Sequence, residues 1–171
     1  MSRRVLVAGI GNIFLSDDGF GVEVVNGVAN RSLPPGVQVA DFGIRGVHLA
    51  YELLEGYDGV ILVDAVPMKE PAGTVAVIEP DPDDIGRSAA DPDNLEPVFD
   101  AHNMSPELVL STLSRLGGSV GRILVVGCQP ATLEEGMGLS PPVAAAVDDA
   151  AVLCLALMTE IMQSAGKGTP G

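Results

Sequence analysis

Three short runs without a single polar residue constrain the fold of this chain most: Val5-Leu6-Val7-Ala8, Val60-Ile61-Leu62-Val63 and Ile123-Leu124-Val125-Val126. Each is too short for a buried helix. None shows the apolar-polar alternation of a strand with one wet face, so each is expected to be a strand covered on both faces. Such strands lie centrally in open parallel sheets with helices on either side.

The intervening segments supply the rest of that sheet. Asp18 to Ala29 carries Phe20, Val24 and Val28 at helical spacing, with Ser16 read as its N-cap and Asp17 and Asp18 as its first turn. Val37-Gln38-Val39-Ala40-Asp41 alternates as an edge strand would, and Val47 to Leu54 is expected to be a helix. Ala65 to Pro71 is all that separates the third strand from Gly73 to Glu79, whereas a parallel crossover takes about a dozen residues or more, so the fourth strand should run antiparallel. Ser105-Pro106 opens a helix to Leu116, with Ser105 as N-cap and Pro106 at its first position. The last helix runs from Ser140-Pro141 to about Met162. The order βαβαβ, one reversed strand, then αβα specifies an α/β fold, an open three-layer sheet with ligands expected beyond the carboxyl ends of its strands.

Residues 1–163 are expected to be one domain, and 164–171 a disordered tail. The Pro- and Asp-rich stretch from Asp81 to Asp100 has little periodicity and is expected to be a lid or partner-contact loop. Two well-separated cysteines in apolar stretches, Cys128 and Cys154, suit buried thiols in a reducing, cytoplasmic compartment. Nine basic against 23 acidic residues give a formal charge of -14, which repels nucleic acid and anionic membranes and favours cations or a basic protein patch. Ser2-Arg3-Arg4 is not followed by the apolar stretch of an export signal. The apolar stretch Ala150–Met158 falls short of the roughly 20 residues a membrane span needs.

The chemistry is expected at Asp18 just past the first strand, Asp64 ending the third, and His102 opening a helix. Two carboxylates and an imidazole form an O,O,N set suited to a borderline divalent metal. Each also has an ordinary explanation: helix capping for Asp18, turn capping for Asp64, and a backbone hydrogen bond for His102. Gly9-Ile10-Gly11 after a strand, with Asp41 ending the next, also suggests dinucleotide binding. Phe14 in place of the third glycine, and two acids where pyrophosphate would bind, oppose it. His48 with Glu52 one turn on reads as a solvated helix face, and Ser140 as a cap; Cys128, after the fifth strand, suggests a nucleophile with His102 as base, but with no positive group beside it in sequence it reads first as a buried small hydrophobe.

Taken together, Gly9-Ile10-Gly11-Asn12 with Asp17-Asp18-Gly19-Phe20-Gly21, Asp64-Ala65, Gly73-Thr74, His102, Gly127 with Pro130, and Gly136-Met137-Gly138-Leu139-Ser140-Pro141 resemble the hydrogenase maturation proteases, in order over about residues 4–160. The resemblance implies an aspartic-type endopeptidase that trims the C-terminal extension of the large-subunit precursor of nickel-iron hydrogenases. It implies a three-layer α/β/α sandwich, with a five-stranded, mostly parallel sheet of order 2-1-3-5-4 and strand 4 antiparallel. It further implies nickel, supplied by the precursor, held by Asp18, Asp64 and His102; Asp41, ending the second strand, is expected to join them in the catalytic set by orienting groups. The family more often has Glu at the first ligand position. Its Asp-Gly-Gly-Thr-type segment appears as Asp41-Phe42-Gly43-Ile44-Arg45-Gly46, where Phe42 and Arg45 depart from the pattern. The expected partner is the precursor, with no nucleic acid and no membrane, and the expected state is a monomer. The competing reading is a noncatalytic, metal-dependent binding or chaperone module on the same fold.

Overall fold

The computed structural model describes residues 3–80 and 106–164. The expected lid at 81–100, His102 and the 165–171 part of the expected tail lie outside the described residues. Five strands, β1 (Val5–Ile10), β2 (Val37–Gly43), β3 (Gly59–Ala65), β4 (Val75–Ile78) and β5 (Arg122–Cys128), form one sheet in the order β2-β1-β3-β5-β4. All neighbouring pairs are parallel except β4 with β5, which is antiparallel. Topology and the reversed fourth strand are as expected from the sequence.

The wholly apolar strands are central because alternate residues serve two cores. Val5, Val7, Ile61, Val63, Leu124 and Val126 pack under α1 (Phe20–Ala29) and α4 (Pro141–Ser164). Their neighbours Leu6, Ala8, Val60, Leu62 and Val125 pack against Leu49 and Leu53 of α2 (Gly46–Leu53) and Val109, Leu110 and Leu113 of α3 (Pro106–Arg115). A strand with helices on both faces has no wet side, so polar residues appear only at its ends. By length and composition α4 would pass for a membrane span. Its Val143, Ala150, Cys154, Met158 and Ile161 are instead packed in the first core.

The first helix departs from expectation. Ser16–Gly19 is a 3-10 turn, and α1 begins only at Phe20, with Gly19 as its N-cap and no side-chain cap. Ser16 does not cap: its backbone has a left-handed φ of 54°, and its hydroxyl donates to the carbonyl of Glu134 at 2.7 Å. The last helix runs one residue past the expected domain end, to Ser164.

Candidate active site

Close backbone approaches place the site at the carboxyl edge of the sheet. A Cβ on Gly21 would lie 2.1 Å from the carbonyl oxygen of Val63, and one on Gly9 2.4 Å from that of Gly21. Helix α1 therefore begins against the backbones of β1 and β3, at a separation no side chain permits. The 3-10 turn just before it is brought to the end of β3. Gly11, with φ of 130°, lies between the two acids: a Cβ there would sit 1.9 Å from the Asp18 carbonyl oxygen and 3.2 Å from Asp64 Oδ1.

Asp18 and Asp64, 46 positions apart in the chain, thus share one crevice. Asp64 is 3% exposed. Among the described residues its carboxylate takes one hydrogen bond, from the N–H of Ala65 at 2.8 Å. Burial raises its pKa well above the ordinary carboxylate range, and repulsion from Asp18 raises it further, while the Ala65 N–H opposes both. Asp18 is half-buried and accepts one hydrogen bond, from the N–H of Asn12 at 2.7 Å. Burial raises its pKa too, against the lowering effect of that N–H. Two under-bonded carboxylates that repel each other make a place where a divalent cation would be favoured. Among the described residues no group of three His, Cys, Asp or Glu side chains could hold a metal. Two of the three expected ligands meet, and the third lies outside the described residues.

Asp17 behaves in the opposite way. It is 0% exposed and accepts four hydrogen bonds: from the N–H groups of Ala131 at 2.8 Å, Thr132 at 3.1 Å and Ser140 at 2.7 Å, and from Ser140 Oγ at 2.8 Å. Burial alone would raise its pKa, but these bonds outweigh it and hold the group below the ordinary range. Ser140 precedes the last helix as expected, its carbonyl accepting from the Ala144 N–H at 2.8 Å, but its hydroxyl donates to Asp17, and the expectation that Asp17 only opens the first helix is corrected: it ties the 3-10 turn to the loop after β5. A contact between positions 123 residues apart leaves no local pattern in a sequence.

Asp41 lies at the same edge one strand over, where β2 shifts register against β1 and continues to Gly43. Its Oδ1 accepts from the Gly43 N–H at 2.8 Å, Gly43 in turn accepts from the Gly11 N–H, and Arg45 Nη2 donates to the Asp41 carbonyl. The carboxylate itself is exposed. Cys128 is buried and free, and burial, with the nearby Asp17 charge, pushes its thiol up to about 11, which makes it a poor nucleophile. His48 is exposed on α2, as expected.

A cleft of about 430 Å³ opens beside the acid pair, lined by Asn12, Phe14, Leu15, Glu135, Gly136 and Met137. The fold and the acid pair together define an open α/β protein whose carboxylate crevice lies at the carboxyl ends of its strands, flanked by this cleft. The sequence profile of the hydrogenase maturation protease family matches residues 22–157. The chain is 31% identical to the hydrogenase 2 maturation protease of Escherichia coli, covering 92% of each. It is 34% identical to the hydrogenase expression/formation protein HupD of Rhodobacter capsulatus, covering 85% of this chain and 67% of that one. The hydrogenase maturating endopeptidase HybD of E. coli superposes with a TM-score of 0.72 at 29% identity, over 92% of this chain and 93% of that one. The chain belongs to the hydrogenase maturation protease family and is an endopeptidase.

Proposed function

We propose that this endopeptidase removes the C-terminal extension of the large-subunit precursor of a nickel-iron hydrogenase, and that it recognises the nickel already seated in that precursor through Asp18, Asp64 and His102. The observation that carries this reading is the Asp18–Asp64 pair: two carboxylates, each taking one hydrogen bond among the described residues, at the edge where an α/β sheet binds its ligand. The hydrogenase maturation proteins among its relatives support the choice of substrate. Nickel belongs to the substrate here, and when bound it would polarise a nearby carbonyl or water.

The chain's own residues supply the rest. Burial raises both carboxyl pKa values, and the charge of Asp18 raises that of Asp64 further, so the pair favours holding a proton between its two carboxyls, as an aspartic-type endopeptidase requires. Asp64, nine-tenths and more out of water, sets the low-dielectric floor of the crevice. Asp41, exposed at the neighbouring strand end, is assigned to orienting the precursor chain. Two free thiols and the strong negative charge support a cytoplasmic protein that meets a protein partner rather than a nucleic acid.

The test is incubation with nickel-loaded and nickel-free precursor, followed by mass measurement of the products. Loss of a C-terminal fragment from the loaded form alone is expected. Equal cleavage of both forms would remove nickel recognition, and cleavage of neither would remove the substrate assignment.

A further inference from the structure

Two stretches far apart in sequence build the cleft beside the acid pair: Asn12, Phe14 and Leu15 on one side, Glu135, Gly136 and Met137 on the other. Both carry exposed large apolar side chains, Phe14 at 62% and Met137 at 69%. The cleft is continuous with the crevice, because Asn12 both lines it and donates its N–H to Asp18. Its two walls are stitched by backbone bonds, Ser16 N–H to the Gly136 carbonyl at 2.9 Å and Gly136 N–H to the Phe14 carbonyl at 2.9 Å. Exposed backbone bonds of this kind contribute little each and open readily. The buried anchor is Asp17, whose carboxylate holds both ends of the second wall at once, through Ala131 and Thr132 at its start and Ser140 at its finish.

We propose that Asp17 is a positioning residue for substrate binding: its buried carboxylate fixes the 131–140 loop against the 12–16 segment, so that the cleft holds the precursor chain across Phe14 and Met137 at a set distance from Asp18. The proposal rests on the processing reading above. Asp17 itself touches no substrate. A carboxylate suits this place because it presents acceptors only, whereas an amide of the same shape would turn a donor towards N–H groups. Loss of Asp17 is therefore expected to loosen the far wall while β1 and β3, which seat Asp64 and the Gly11 segment, stay in place.

The experiment compares wild type, Asp17→Asn and Ser140→Ala in steady-state cleavage of nickel-loaded precursor, alongside amide hydrogen exchange at Ala131, Thr132 and Ser140. A purely structural defect lowers the fraction of active enzyme, which reduces apparent kcat and leaves KM alone. A displaced wall raises KM. For Asp17→Asn the expected result is faster exchange at the three amides with KM for precursor up by about tenfold. Ser140→Ala removes one of the four bonds and keeps the carboxylate, so a KM rise of about threefold is expected and remains measurable if Asp17→Asn fails to fold. Faster exchange with KM within about twofold of wild type overturns the positioning role, as does an unchanged KM in Ser140→Ala. If wild type neither binds nor cleaves the precursor, the processing reading fails and the positioning role goes with it.

Discussion

Asp17 and Asp18 are adjacent in the chain, share one 3-10 turn, and have opposite electrostatic fates. Asp17 is fully buried with four hydrogen bonds, and its pKa is lowered. Asp18 receives one hydrogen bond and faces the buried Asp64, and both of those acids have raised pKa values. A buried carboxylate with enough N–H partners is a stabilising clamp, and one without them is a stored cost that a ligand can relieve. One turn of chain thus carries a fully bonded acid on one side and the acid proposed to act on substrate on the other.

The largest effects should come from removing the acids of the crevice. Asp64→Asn is expected to lower precursor processing by at least about 100-fold, since even outer partners of a metal site cost 10- to 100-fold when lost. The same variant should melt a few degrees higher at neutral pH, because a repelled buried charge is gone. His102→Ala should lose processing to the same extent with an unchanged circular dichroism spectrum. A melting temperature for Asp64→Asn below wild type would show that the buried Asp64 charge is no stored cost.

Asp17→Asn should move stability the other way. Leaving buried N–H groups without acceptors costs about 2–3 kcal/mol, or roughly 5–10 °C in Tm for a chain of this size. Calorimetry checks the sign. Gly11→Ala should follow, at about 2 kcal/mol, because a Cβ at its positive φ meets the Asp18 carbonyl. It should also push Asp18 and Asp64 apart, which carbon-detected NMR titration would read as lower carboxyl pKa values.

The pH dependence separates the two regions. Asp64 holds its proton to higher pH in the folded chain than in the unfolded one, so above the ordinary value of 3.8 the native state binds more protons and metal-free stability falls as pH rises towards the raised folded pKa. Asp17 has the opposite sign: its contribution is present above 3.8 and is lost as pH falls through its lowered folded pKa. Denaturant melts of metal-free Asp64→Asn should show the first decline flattened and the acid-side loss retained. The smallest effect is expected for Asp41→Asn, which keeps the Oδ1 acceptor for Gly43: stability within about 0.5 kcal/mol of wild type, with any change confined to processing.

Much of the fold was legible because its signals are local. The apolar runs of β1, β3 and β5 contain no polar residue since both their faces are covered, and the short link after β3 dictated an antiparallel β4. Asp64 stood out because a carboxylate at the end of such a run needs a reason to be there. Helix-start chemistry misled at Ser16 and Asp17, and told only half of Ser140, which does open its helix but turns its hydroxyl to Asp17 across the molecule.

By itself the sequence determined the strands, the reversed edge, the family and the identity of the acids, because patterning and short connections act over a few residues. Only the tertiary structure decided which acid is a clamp and which stands under-bonded in the crevice. That depends on how many N–H groups surround each carboxylate, and those donors arrive from Ala131, Thr132 and Ser140, more than a hundred residues along the chain, once helix α1 has closed against the backbones of β1 and β3.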